Sequence, residues 1–126
     1  DTDAVISKAS GKDVTLFRPP DGAWGDALRA QARDSGQAMI LWGVDSGDWG
    51  KLGADAITKR VVDGAYSGSI VSLHDGNAAT AKALPKIIKG LKDKGYTLVT
   101  VSTLLAGDIQ PGDVAYGLND VQRDAE

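Results

Sequence analysis

Short unbroken apolar runs alternate along this chain with stretches whose apolar side chains return at helical spacing, divided by glycine-rich turns. Thr2 to Ala9, with Val5, Ile6 and Ala9 on one face and Gly11 behind them, reads as the last turns of a helix that begins upstream. Val14 to Phe17 is strand-like and stops at Arg18-Pro19-Pro20-Asp21-Gly22, because two consecutive prolines cannot donate to a ladder. Trp24, Ala27, Leu28 and Ala32 keep helical spacing up to Ser35, and Gly36 suits the left-handed position that follows a helix. Ala38 to Val44 is continuous and apolar, as a parallel strand buried on both faces is, and it ends at Asp45-Ser46-Gly47-Asp48-Trp49.

The alternation continues. Asp55 can cap a helix that turns Ile57, Val61 and Val62 inward and stops at Gly64. Ser69 to Leu73 is the next strand, followed by His74-Asp75-Gly76-Asn77. Leu84, Ile87, Ile88 and Leu91 then give the clearest amphipathic signal, with Pro85 expected near that helix's first turn and Gly95 at its end. Thr97 to Val101 reads as a strand, Ser102 as the cap of a short helix through Ala106, and residues 107–126 as a C-terminal tail without pattern. Strands alternating with helices predict an α/β fold with a parallel sheet or barrel. Right-handed crossovers place the strands' C-terminal ends on one face, which gathers Arg18 to Asp21, Asp45 to Trp49 and Leu73 to Asp75 where such folds build their sites.

Composition narrows the function classes. The 126 residues, 42% hydrophobic and 25% charged, suit one ordinary domain, and a net charge of -3 with interleaved signs supplies no basic face for a phosphate backbone. The apolar runs are far shorter than the roughly 20 residues of a membrane span. With no cysteine, disulfides and thiolate metal sites are excluded. Asp1-Thr2-Asp3-Ala4-Val5-Ile6 has neither an initiating Met nor the flanks of a signal peptide, so the chain is expected to begin after a cleavage or inside a longer product.

Four features could carry chemistry. His74 is the sole histidine, too few for a two-histidine metal site, but a proton donor or acceptor near neutral pH. A histidine simply hydrogen-bonded at a strand end fits the spacing equally. Asp45 or Asp48 could orient it, although aspartates populate turns anyway. Arg18, restricted by the prolines that follow, could hold a carboxylate bidentately, and the backbone N–H of Asp21 is the first donor available after it. Trp49 in a glycine-flanked turn could wall a sugar or acyl group or pack over the core. Trp24 and Trp42 read as packing.

Taken in chain order, Phe17-Arg18-Pro19-Pro20-Asp21-Gly22, Val44-Asp45-Ser46-Gly47-Asp48-Trp49 and Ile70-Val71-Ser72-Leu73-His74-Asp75 resemble motifs three to five of the NodB-type polysaccharide deacetylases, carbohydrate esterase family 4. The resemblance runs on through Ala83 to Ile88, Lys94-Gly95-Tyr96 and Val99 to Leu105, and so covers roughly residues 1–106. It implies the C-terminal part of a distorted, incomplete (β/α) barrel that removes acetyl groups from N-acetylglucosamine polymers or acetylated xylan with a divalent metal, zinc being expected. The family's T-F-D-D-G and H-x-x-x-H motifs, which supply base and metal ligands, are not found here. By resemblance His74 protonates the leaving amine, Asp48 pairs with it, Arg18 orients the base, Trp49 and Leu73 line the acetyl pocket, and Pro20 and Asp21 border the substrate. The N–H of Asp21 would serve the oxyanion. Asp21 departs from the family's usual Tyr, which a backbone donor tolerates.

Three readings follow from the resemblance. In the leading one, residues 1–106 are the C-terminal half of a catalytic domain. Base and metal are then supplied by an N-terminal companion on the order of 70 to 100 residues, pairing with exposed strand edges. The others are a non-catalytic carbohydrate-binding or structural fragment, and a degradation product. A secreted or cell-surface bacterial location is implied by the polymeric substrate.

Overall fold

A computed structural model describes residues 1–125. The chain divides into two compact units, one formed by Asp1–Leu41, Gly107–Ala115 and the residues from Asp120 onward, the other by Trp42–Ala106 and Tyr116–Asn119.

In the first unit, α1 (Thr2–Ser10) starts where the Asp1 side chain accepts from Asp3 N and closes on left-handed Gly11. Then come β1 (Leu16–Phe17), a 3-10 turn at Pro20–Gly22, α2 (Asp26–Asp34) and β2 (Ala38–Ile40). β1 and β2 are parallel, with Leu16 opposite Ala38 and Phe17 opposite Met39. The core centres on β2, where Met39 is fully buried.

The supposed tail is part of this architecture. β5 (Val114–Gly117) lies parallel to β2, with Met39 opposite Val114 and Ile40 opposite Ala115, and β6 (Asp120–Gln122) is its other neighbour in the order β1-β2-β5-β6. Its anchor is the buried carboxylate of Asp113, which accepts from Gln110 N, Asp124 N and Arg123 Nη1. Burial pushes the pKa of Asp113 up, but these donors outweigh it and leave it lowered. Arg29 of α2 adds bonds to the carbonyls of Gly112 and Gln122 at 2.8 Å each. Glu126, the last residue of the expected tail, lies outside the described residues.

The second unit holds β3 (Val44–Asp45), α3 (Ala54–Gly64), β4 (Val71–Ser72), α4 (Ala78–Asp93) and α5 (Val101–Leu104). β3 and β4 are parallel, with Val44 opposite Val71 and Asp45 opposite Ser72. The run expected as one strand from Ala38 to Val44 is therefore two. It breaks at Gly43, whose N–H shares the carbonyl of Ile70 with that of Val44. Four further expectations are corrected. The N-cap of α3 is Gly53, with Asp55 in the first turn. Pro85 lies inside α4, because Asn77 caps that helix well upstream. Thr97 to Thr100 joins no ladder, and Thr100 rather than Ser102 caps α5.

α3 and α4 pack on a core of Ile57, Val61, Ala83, Ile87 and Leu91. The buried stripe of α4 is Thr80, Ala83, Ile87 and Leu91, while Leu84 and Ile88 are exposed at its margin. The helices approach closely at Gly90, where an added Cβ would lie 2.8 Å from Val62 Cγ2. Gly90→Val is accordingly expected to destabilise the chain by about 1–3 kcal/mol by overpacking, read as a lower midpoint in urea. An unchanged midpoint would mean that the two helices can part without cost.

Candidate active site

The second unit brings His74 onto Asp48. β3 ends in the turn Asp45 to Asp48, in which Asp45 Oδ1 accepts from Gly47 N at 2.8 Å and Ser46 Oγ accepts from Asp48 N at 3.2 Å. Gly47 has φ 69, a left-handed backbone that favours glycine, with the Arg60 guanidinium beside it. The turn drives the Asp48 carboxylate inward to 0% exposure. β4 ends one residue before Leu73, so His74 arrives beside it.

The carboxylate is held on both oxygens. Oδ1 lies 2.7 Å from His74 Nδ1, while Oδ2 accepts from His74 N at 2.7 Å and from Thr80 Oγ1 at 2.8 Å. Burial alone would raise the pKa of Asp48. The bonds from the His74 side chain and backbone, and from Thr80 and Ser46, overcome it and lower the value to about 2. Asp48 is thus a carboxylate that can only accept, so Nδ1 of His74 carries a proton and Nε2 is the nitrogen available for exchange. The His74 side chain remains 54% exposed, which leaves Nε2 accessible.

Trp49 and Leu73 flank the pair in sequence. Trp49 is 74% exposed, and its indole nitrogen donates to Asp45 at 3.3 Å. Leu73 is half-buried against the α3–α4 core. A cavity of about 250 Å³ in this unit is lined by Tyr66, Ile70, Val71, Tyr96 and Leu98 among others, and by none of His74, Asp48, Trp49 or Leu73.

Arg18, Pro20 and Asp21 belong to the first unit and make their own contacts there. Arg18 donates from Nε to the carbonyl of Ile40 and from Nη2 to that of Leu41, both at 3.1 Å, at the end of β2. Withdrawal from water lowers its pKa. Pro20 opens the 3-10 turn, and Asp21 within it has φ 56 and ψ 12, the sole positive φ at a non-glycine among the described residues. Such backbone disfavours branched side chains, so Asp21→Val is expected to cost about 1–2 kcal/mol and Asp21→Gly far less. Equal denaturation midpoints for the two variants would refute this.

No three His, Cys, Asp or Glu side chains come together among the described residues in a way that could hold a metal ion. The residues present therefore do not fit a metal centre. No helix among them is long and apolar enough to cross a membrane. Sequence reasoning missed Thr80 and Asn77, whose amide donates to the carbonyl of Asp48 at 2.8 Å. Their signal was a cap residue and a hydroxyl three positions later, directly after His74-Asp75-Gly76.

No family model matches the chain. A peptidoglycan-N-acetylglucosamine deacetylase of Bacillus cereus is 44% identical over 99 residues, 75% of this chain and 46% of that protein. A solved family 4 carbohydrate esterase from Streptomyces lividans in complex with acetate is 33% identical with a TM-score of 0.76, over 87% of this chain and 55% of the other. A solved T48 deacetylase with substrate is 34% identical with a TM-score of 0.82, over 90% and 56%. The chain spans about half the length of these relatives. Its helices and parallel strands match part of the (β/α) fold of these enzymes, as the order of its three loop motifs predicts. The chain belongs to the NodB-type polysaccharide deacetylases, carbohydrate esterase family 4.

Proposed function

We propose that this chain carries the acid side of a metal-dependent polysaccharide deacetylase, which hydrolyses acetyl groups from N-acetylglucosamine polymers or acetylated xylan. The observation that supports the reading best is the 2.7 Å pairing of His74 Nδ1 with a fully buried Asp48 carboxylate. With Nδ1 committed to Asp48, Nε2 hands its proton to the departing amine nitrogen, or to the sugar oxygen of an ester, as the acyl bond breaks. Asp48 fixes the ring and balances the imidazolium charge. Trp49 and Leu73 wall the acetyl group, Arg18 orients the catalytic base, and Pro20 and the N–H of Asp21 border the oxyanion.

Base and metal ligands are assigned to a companion segment corresponding to the N-terminal half of the same domain. This chain by itself is then inactive. The location that goes with such a substrate is secreted or at the cell surface, supported by the wall polymer in the name of the Bacillus cereus relative.

The test is acetate release by a complete assembly carrying this sequence, offered acetylated chitooligosaccharide, peptidoglycan and acetylated xylan in parallel. Turnover of at least one polymer is expected. Binding of the polymers with no acetate from any of them would reject the reading in favour of a non-catalytic one.

A further inference from the structure

We infer that Thr80 is a positioning residue for the His74–Asp48 pair, its hydroxyl holding the carboxylate and drawing off part of the charge that would otherwise bear on the imidazole. The inference rests on the reading of that pair as the proton-handling site. Thr80 is 7% exposed and stands in the first turn of α4. A hydroxyl there commonly serves the helix's own free N–H groups. In α4 that task is already done by Asn77, whose Oδ1 accepts from Ala79 N at 2.9 Å and Thr80 N at 3.4 Å. The Thr80 hydroxyl is left over, and it reaches 32 residues back in the chain to Asp48 Oδ2.

The same helix turn grips Asp48 twice. Asn77 Nδ2 donates to the Asp48 carbonyl at 2.8 Å while Thr80 donates to its carboxylate at 2.8 Å. An ionised carboxylate has only lone pairs to offer, so the hydroxyl must be the donor. Each donor to a carboxylate stabilises its charge and lowers its basicity. With Thr80 in place, part of the Asp48 charge is committed to the hydroxyl and less of it bears on His74 Nδ1. The charged residues of the neighbouring loop segments are Asp45, Lys51 and Asp75, and Arg60 of α3 has its guanidinium beside Gly47. None of them changes in a Thr80 variant, so a comparison between variants isolates the hydroxyl.

His74 is the sole histidine, so its ring signals in an NMR titration of this chain are unambiguous and need no turnover to be read. Relative to the parent chain, T80V and T80A are expected to move the His74 midpoint upward by about half a unit, a roughly threefold change in proton affinity. T80S, which keeps the hydroxyl, leaves the midpoint in place. A midpoint in T80V that stays put or moves down overturns the inference, since a merely structural threonine would shift stability and not the titration. Should T80V fail to fold, the T80A and T80S pair reads the same difference. A failed acetate assay with this titration result would sink the proposed function and leave the role of Thr80 standing. The converse pattern would do the opposite.

Discussion

Replacing His74 by alanine in a complete deacetylase carrying this chain is expected to lower kcat by about a hundred- to ten-thousand-fold, the range a positioned general acid contributes. KM should change little, because the imidazole acts on the departing group and not on polymer binding. The fold should survive, since the His74 side chain is more than half exposed and its backbone N–H still donates to Asp48. Steady-state kinetics with a thermal melt of the same variant separates the two effects. A kcat within threefold of the parent would remove His74 from the chemistry.

Asp48→Ala is expected to destabilise the chain by about 3 kcal/mol, because it leaves the Thr80 hydroxyl and the His74 N–H without their acceptor. The pH dependence is a second signature. Asp48 is lowered in the folded chain to about 2 from an ordinary value of 3.8. Its contribution is therefore fully present above the unfolded value and is lost as pH falls from about 5 toward about 2, on the order of 2 kcal/mol in total. Asp48→Asn cannot ionise and lacks that term. The stability gap between parent and Asp48→Asn should thus narrow by about that amount between pH 7 and pH 2, measured by urea unfolding. A gap that stays constant would mean that the buried carboxylate is not held ionised.

The site was legible in the sequence wherever a strand end carried it. Val44 and Leu73 precede polar turns, and the parallel alternation puts Asp48 and His74 at the ends of neighbouring strands, which the pairing of Val44 with Val71 bears out. Thr80 was legible only as a hydroxyl three positions after the cap residue Asn77, since its reach of 32 residues back to Asp48 leaves no trace in any local period. The start of α4 was misplaced for a related reason. The conspicuous apolar repeat begins at Leu84, whereas the helix begins where Asn77 can cap it, and part of that repeat, Leu84 and Ile88, turns out to be marginal to the core. β5 was missed since Val114-Ala115-Tyr116-Gly117 is short, carries small residues and is covered on both faces, so it shows neither alternation nor a long apolar run. What ties it down, the Asp113 carboxylate and its donors, is again a long-range polar contact.

Under the proposed function, this chain holds the acid side and draws base and metal from a companion. The most direct measurement is acetate release from acetylated chitooligosaccharide by this chain, by an N-terminal companion segment, and by the two together, each with divalent metal added. Turnover with both and none with either alone is the predicted result. Appreciable turnover by this chain alone would contradict it.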